Sequence, residues 1–151
     1  METTSKSTET LNDLIQINND RVKGFEKAAE DLREVNADLK TVFAQMAAES
    51  RSNVGELTRL VNDHGAEPET GTSASGAIHR TWIDVRATFG GSDRRSILEE
   101  CERGEDAIKK AYQTALEPEN ELTTEEAGVV RKQQTGIVAS HNRIKLLLDS
   151  M

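Results

Sequence analysis

Apolar side chains recur every three or four residues in four long segments of this chain, and nowhere do they alternate in the period of two that marks a half-buried strand. Each such segment has to bury its stripe against the stripes of its neighbours, so the pattern predicts an all-α protein packed helix on helix. The first stripe runs through Leu11, Leu14, Ile15, Val22, Phe25, Ala29 and Leu32, with Thr10 placed to cap it and an end near Glu34. The second starts after Asp38 with Leu39, Val42, Phe43, Met46, Val54, Leu57, Leu60 and Val61, and Gly65 after His64 is its stop signal. Ser92 can cap a third, which carries Ile97, Leu98, Cys101, Ile108, Tyr112, Ala115 and Leu116 and closes at Pro118. Thr123 and Glu126 form a capping-box pair that opens the fourth, with Val130, Ile137, Ile144 and Leu148 on its stripe. Residues 1–9 are polar and aperiodic and read as a disordered tail, leaving residues 10–151 as one domain.

The connections decide the topology. The joins between helices one and two and between helices three and four are short, which makes each pair antiparallel neighbours. Roughly 26 residues separate the second helix from the third, against the usual 2 to 8 in bundles, so the chain crosses from one end to the other and helices two and three run parallel. The stretch GAEPETGTSASG that opens this connection is irregular, and Ile78, Trp82, Val85 and Phe89 then predict a short amphipathic helix within the crossover. The expected architecture is a ferritin-like four-helix bundle with a long 2–3 crossover.

Charge and cysteine content narrow the function. With 27 acidic against 19 basic side chains, the formal charge is −8 at pH 7. That disfavours nucleic acid and anionic lipid, which both need a basic face. The longest apolar runs, such as Leu146 to Leu148, are far too short to span a bilayer or form a signal-peptide core, so the expected location is cytoplasmic. The single cysteine excludes an internal disulfide. On its apolar stripe Cys101 reads as buried packing rather than as a nucleophile.

Several polar residues fall where core is expected. At about 100° per residue, Gln134 and His141 lie near Val130, Ile137 and Leu148 on helix four, Glu105 falls inside the helix-three stripe, and Glu102 falls on its margin. Helix one adds Asn18 centrally and Glu26 at the margin; helix two adds Ser50 and Asn53, with Glu49 at the margin. A carboxylate in such a place costs several kcal/mol unless it is paired, protonated or metal-bound. One reading is a metal site at mid-bundle, built from Glu26, Glu49, Glu102, Glu105, Gln134 and His141. The other is a hydrogen-bonded layer that fixes helix register, with Glu105 accepting from Gln134 or His141. Under this second reading the protein is a structural or interaction module, whose outer surface docks a partner or forms a homodimer. Nowhere does the chain contain the Glu-x-x-His spacing that lets one helix face hold one ion of a di-metal pair. His64, at the end of helix two, suits the helix macrodipole as a cap.

The phrases LNDLIQINNDRVKGFEKAAEDL, LKTVFAQMAAESRSNVGEL, GAIHRTWIDVRATFGGSDRRSILEECERGEDAIKKAY and HNRIKLLLD resemble the successive helices of a bacterial ferritin-like family of unknown function, often named simply four-helix-bundle proteins. The resemblance is most specific at EECERGE, residues 99–105, followed by Asp106 and Tyr112. It implies a ferritin-like bundle and metal binding, with iron or manganese as the ion. Glu26, Glu49 and Glu102 or Glu105 match the superfamily's ligand positions, whereas its two histidine positions have no match. No reaction comes with the resemblance.

Overall fold

The computed structural model describes residues 5–32, 37–69 and 94–150. Four helices make up most of them: α1 (Lys6–Asp31), α2 (Ala37–Asp63), α3 (Arg94–Ala115) and α4 (Thr124–Asp149). Helix α1 begins about one turn earlier than its apolar stripe. Ser5, in extended conformation, accepts the Thr8 N–H at 3.2 Å and is the cap, while the Thr10 hydroxyl is internal and donates back to the Lys6 carbonyl at 2.9 Å. Residues 6–9 are thus helical, with Ser7 and Thr8 buried. Helix α2 stops as its glycine predicts, with Gly65 at φ 71° and its N–H bonded to the Asn62 carbonyl at 2.8 Å. After α3, Pro118–Asn120 form a 3-10 turn, and the buried Asn120 amide donates to the Thr114 and Ala115 carbonyls, satisfying acceptors that the helix end leaves open. The α4 capping box is complete: Glu126 N–H meets Thr123 Oγ1 at 3.1 Å, and Thr123 N–H meets Glu126 Oε1 at 2.9 Å.

Side-chain pairs between helices define the connectivity. Asn18 reaches Asn53 while Arg21 reaches the Met46 carbonyl, so α1 and α2 are antiparallel. Arg94 at the start of α3 pairs with Asp38 at the start of α2, at 3.0 and 2.7 Å, which puts both starts at one end and makes α2 and α3 parallel. Arg21 with Glu105 and Asn18 with Tyr112 set α1 against α3, and Gln45 with Arg143 and Glu56 with Lys132 set α2 against α4. Around the bundle the order is α1, α2, α4, α3, with one long crossover between α2 and α3, as the spacing predicts. The short crossover helix expected at residues 78–89 lies outside the described residues, as does the start of the expected tail.

The core runs the length of the bundle through Leu11, Leu14, Phe25, Leu39, Phe43, Leu57, Leu98, Ile108, Val130, Ile137 and Ile144. Phe25 and Phe43 pack with ring centroids 5.4 Å apart, and the Arg21 guanidinium lies 5.4 Å above the Phe25 ring. Among the described residues no helix is long and apolar enough to cross a membrane.

Candidate functional site

The bundle centre is organised by a residue that the sequence reading passed over. Arg21 has no solvent exposure. It occupies the stripe position between Asn18 and Phe25 in the series Leu14, Asn18, Arg21, Phe25, Ala28, whose steps of four and three are those of a core-facing heptad. That spacing is the signal that identifies it. A guanidinium carries five N–H donors in a planar fork and has to be met on each side when buried. Nε donates to Glu105 Oε1 at 2.7 Å and Nη2 to Glu105 Oε2 at 2.9 Å, a bidentate pair with both partners fully buried. Nη1 donates to Glu49 Oε1 at 2.6 Å and Ser50 Oγ at 2.9 Å, with the Met46 carbonyl at 3.4 Å. Ser140 on α4 donates to the same Glu49 oxygen at 3.2 Å, so this one network joins all four helices.

Burial works against the charge on Arg21, but the fields and hydrogen bonds of Glu105 and Glu49 more than offset it, so the guanidinium is held charged above its ordinary value. Glu49, with its side chain about a third exposed, is the member of the triad open to solvent.

A second layer, one turn away, is joined to the first through Ser50. The Ser50 hydroxyl donates to Asn18 Oδ1 at 2.9 Å, and Asn53 Nδ2 donates to the same oxygen at 3.2 Å. Asn18 Nδ2 donates to the Leu14 carbonyl and to Tyr112 Oη, each at 2.8 Å, and Tyr112 Oη donates onward to Gln133 Oε1 at 2.8 Å. Burial pushes the Tyr112 phenol well above its usual range. Gln133 closes the layer by donating to the Asn53 carbonyl at 3.3 Å and Glu56 Oε1 at 3.1 Å.

The residues expected at mid-bundle divide in two. Glu49 and Glu105 meet, on Arg21 rather than on Gln134 or His141. Glu26 is 53% exposed and pairs with Arg51 on the outside of the α1–α2 hairpin. Glu102 is half-buried at the margin of α3. Gln134 is also half-buried, and its neighbour Gln133 takes the inward place instead. The two are about equally offset from the apolar stripe, so helical angle alone does not separate them. His141 is buried, and its Nδ1 has no hydrogen-bond partner among the described residues. His64 reaches across to Glu126 on α4 through Nε2, a tertiary contact as well as a helix-end one. Cys101 is fully buried; burial first, then the charges of Glu105 and Glu100, push its thiol well above the ordinary range, which suits packing rather than nucleophilic attack.

This donor set does not fit a metal centre. Among the described residues no three His, Cys, Asp or Glu side chains group to hold an ion, and the two carboxylates that converge are turned onto a guanidinium. A divalent ion placed there would also face the Arg21 charge at close range, at about 4 kcal/mol per unit charge for a separation of about 4 Å and an effective dielectric constant of about 20.

No curated protein matches the chain. The family model that does match covers α1, α2 and α3 and ends before α4 begins. That model is the domain of unknown function DUF2383, matched over residues 6–118, and the chain belongs to this family.

Proposed function

We propose that this protein is a ferritin-like bundle that serves as a structural or protein-interaction module, with its buried polar layers fixing helix register. The observation that carries the reading is Arg21: a cation that the mid-bundle carboxylates meet is supplied by the chain itself, and its donors are distributed over Glu105, Glu49, Ser50 and the Met46 carbonyl. A ferritin-like origin is supported by the one-crossover connectivity. Buried ionic groups of this kind serve best as registry devices, because a slip of one helix strands a charge in low dielectric. Recognition then falls to the outer, acid-rich helix faces, where a partner or a second copy would dock.

The test is thermal unfolding of metal-stripped protein titrated with manganese, iron(II), zinc and calcium. An ion bound at about one hundred times its dissociation constant adds about 2.7 kcal/mol to the folded state. The expected result is no stabilisation by any of the four. Stabilisation of the wild type that is absent from the double variant Glu49→Gln, Glu105→Gln would overturn the reading and restore a mid-bundle metal site.

A further inference from the structure

The four helix pairs are not fastened alike. Helices α1 and α3 are joined by the fully buried Arg21–Glu105 pair and by Asn18 on Tyr112. Hairpin α1–α2 shares the Phe25–Phe43 contact and the broadest packing in the bundle, and hairpin α3–α4 comes next. Outside the common core, α2 and α4 are held by a ladder of polar contacts along their whole length. From one end it reads His64 to Glu126, Glu56 to Lys132 at 2.6 Å, Gln133 to the Asn53 carbonyl at 3.3 Å and to Glu56 at 3.1 Å, Glu49 to Ser140 at 3.2 Å, and Gln45 to Arg143 at 2.8 Å. Its charged rung Glu56–Lys132 and its end rung Gln45–Arg143 are open to water, with Lys132 70% and Glu56 28% exposed and Gln45 and Arg143 on the surface, while Gln133 and Glu126 are buried. Midway, Gly136 stands opposite Glu49 so closely that a Cβ there would lie 3.0 Å from Glu49 Oε2.

Exposed ion pairs contribute little and are screened by salt, whereas separating a buried bidentate pair strands a charge. From this contrast we propose that the bundle opens along the α2/α4 seam, with hairpins α1–α2 and α3–α4 moving apart about the α1/α3 contact, and that ionic strength controls the opening. The motion brings water to Glu49, and through it to Arg21, while both hairpins stay folded. It is a sub-global opening, distinct from unfolding.

Cys101 provides the readout, because it lies on the inward stripe of α3 between Leu98 and Glu105 and is fully buried in the closed bundle. The experiment measures its labelling by a thiol reagent without denaturant, in parallel with the folding equilibrium from urea titration. Three proteins are compared: wild type, the seam variant Glu56→Gln, Lys132→Gln, and Ala28→Gly. The last removes a buried methyl group within α1 and weakens that helix in the closed and open states alike.

The seam variant is expected to label faster by the same factor as its folding equilibrium falls, about threefold to fivefold. Ala28→Gly is expected to lower the folding equilibrium about fivefold while leaving the labelling rate within about twofold of wild type. Raising salt from about 0.02 M to about 1 M is expected to speed labelling of the wild type. Labelling of Ala28→Gly that rises in full proportion to its lost stability would mean that Cys101 is reached only by global unfolding, and the proposal would fall. A labelling rate unmoved by both the seam variant and salt would overturn it equally.

Discussion

Arg21 and Glu105 face each other fork to fork across α1 and α3, with N–O distances of 2.7 and 2.9 Å and neither side chain exposed to solvent. In the proposed role, the pair sets the register in which α1 docks against α3. Moving either helix by a turn would leave an uncompensated charge inside the bundle. Removing one member should therefore be costly: Arg21→Met alone leaves Glu105 buried without its cation and should destabilise by about 3 to 5 kcal/mol. The double variant Arg21→Met, Glu105→Leu replaces the pair by apolar groups of similar size and should recover most of that loss, since Glu49 can turn to solvent. Urea titration of the two variants decides it; a single variant within about 1 kcal/mol of wild type would show that the pair is not holding the bundle.

Tyr112 links α1 to α4 by accepting from Asn18 and donating to Gln133. Tyr112→Phe leaves the Gln133 carbonyl oxygen without that donor and should cost about 1 to 3 kcal/mol. The phenol also predicts alkaline behaviour. Its folded-state pKa is raised, so the folded protein keeps the proton where the unfolded chain releases it. The resulting stability is fully present below the unfolded value near 10 and is lost as pH rises beyond it. Absorbance at the tyrosinate band should thus appear only with loss of helical circular dichroism. Tyrosinate forming in fully helical protein near pH 10 would contradict this burial.

Glu126 makes the opposite prediction. Burial alone would raise its carboxyl, but the Thr123 backbone N–H and His64 outweigh that and hold it below the usual range. A depressed folded-state pKa contributes stability above the unfolded value of about 4.3, lost as pH falls through the folded one. Glu126→Gln should therefore flatten the acid limb of the stability profile, and Thr123→Ala should cost about 1 kcal/mol at neutral pH by removing the cap. An acid limb with the wild-type slope in Glu126→Gln would assign the acid sensitivity elsewhere.

Helical glycines separate open space from close approach. A Cβ at Gly55 or Gly128 meets nothing within 4 Å among the described residues, so either change to Ala should stabilise by about 0.5 to 1 kcal/mol through backbone entropy. Gly136→Ala would press on Glu49 Oε2 at 3.0 Å and should gain distinctly less, or lose. Equal gains at Gly128 and Gly136 in thermal melts would show that Glu49 moves aside freely.

Periodicity, caps and spacer lengths are local or one-dimensional properties, and they determined the four long helices, the parallel run of α2 and α3, the Gly65 stop and the Thr123–Glu126 box. They also placed Asn18, Ser50, Asn53 and Glu105 inside. Tertiary structure alone decided what those groups meet. Whether Gln133 or Gln134 turns inward depends on how α4 rotates against its neighbours, a choice that a helix of 3.6 residues per turn leaves open within one stripe. Whether Glu26 belongs with Glu49 depends on side-chain reach, and Arg51 takes Glu26 on the outer face. Arg21 carried its heptad position in the sequence, but a charged residue on a stripe reads as solvated until a partner is seen. Its partners lie 28 and 84 residues away on two other helices, and only the packed bundle brings them within hydrogen-bonding distance.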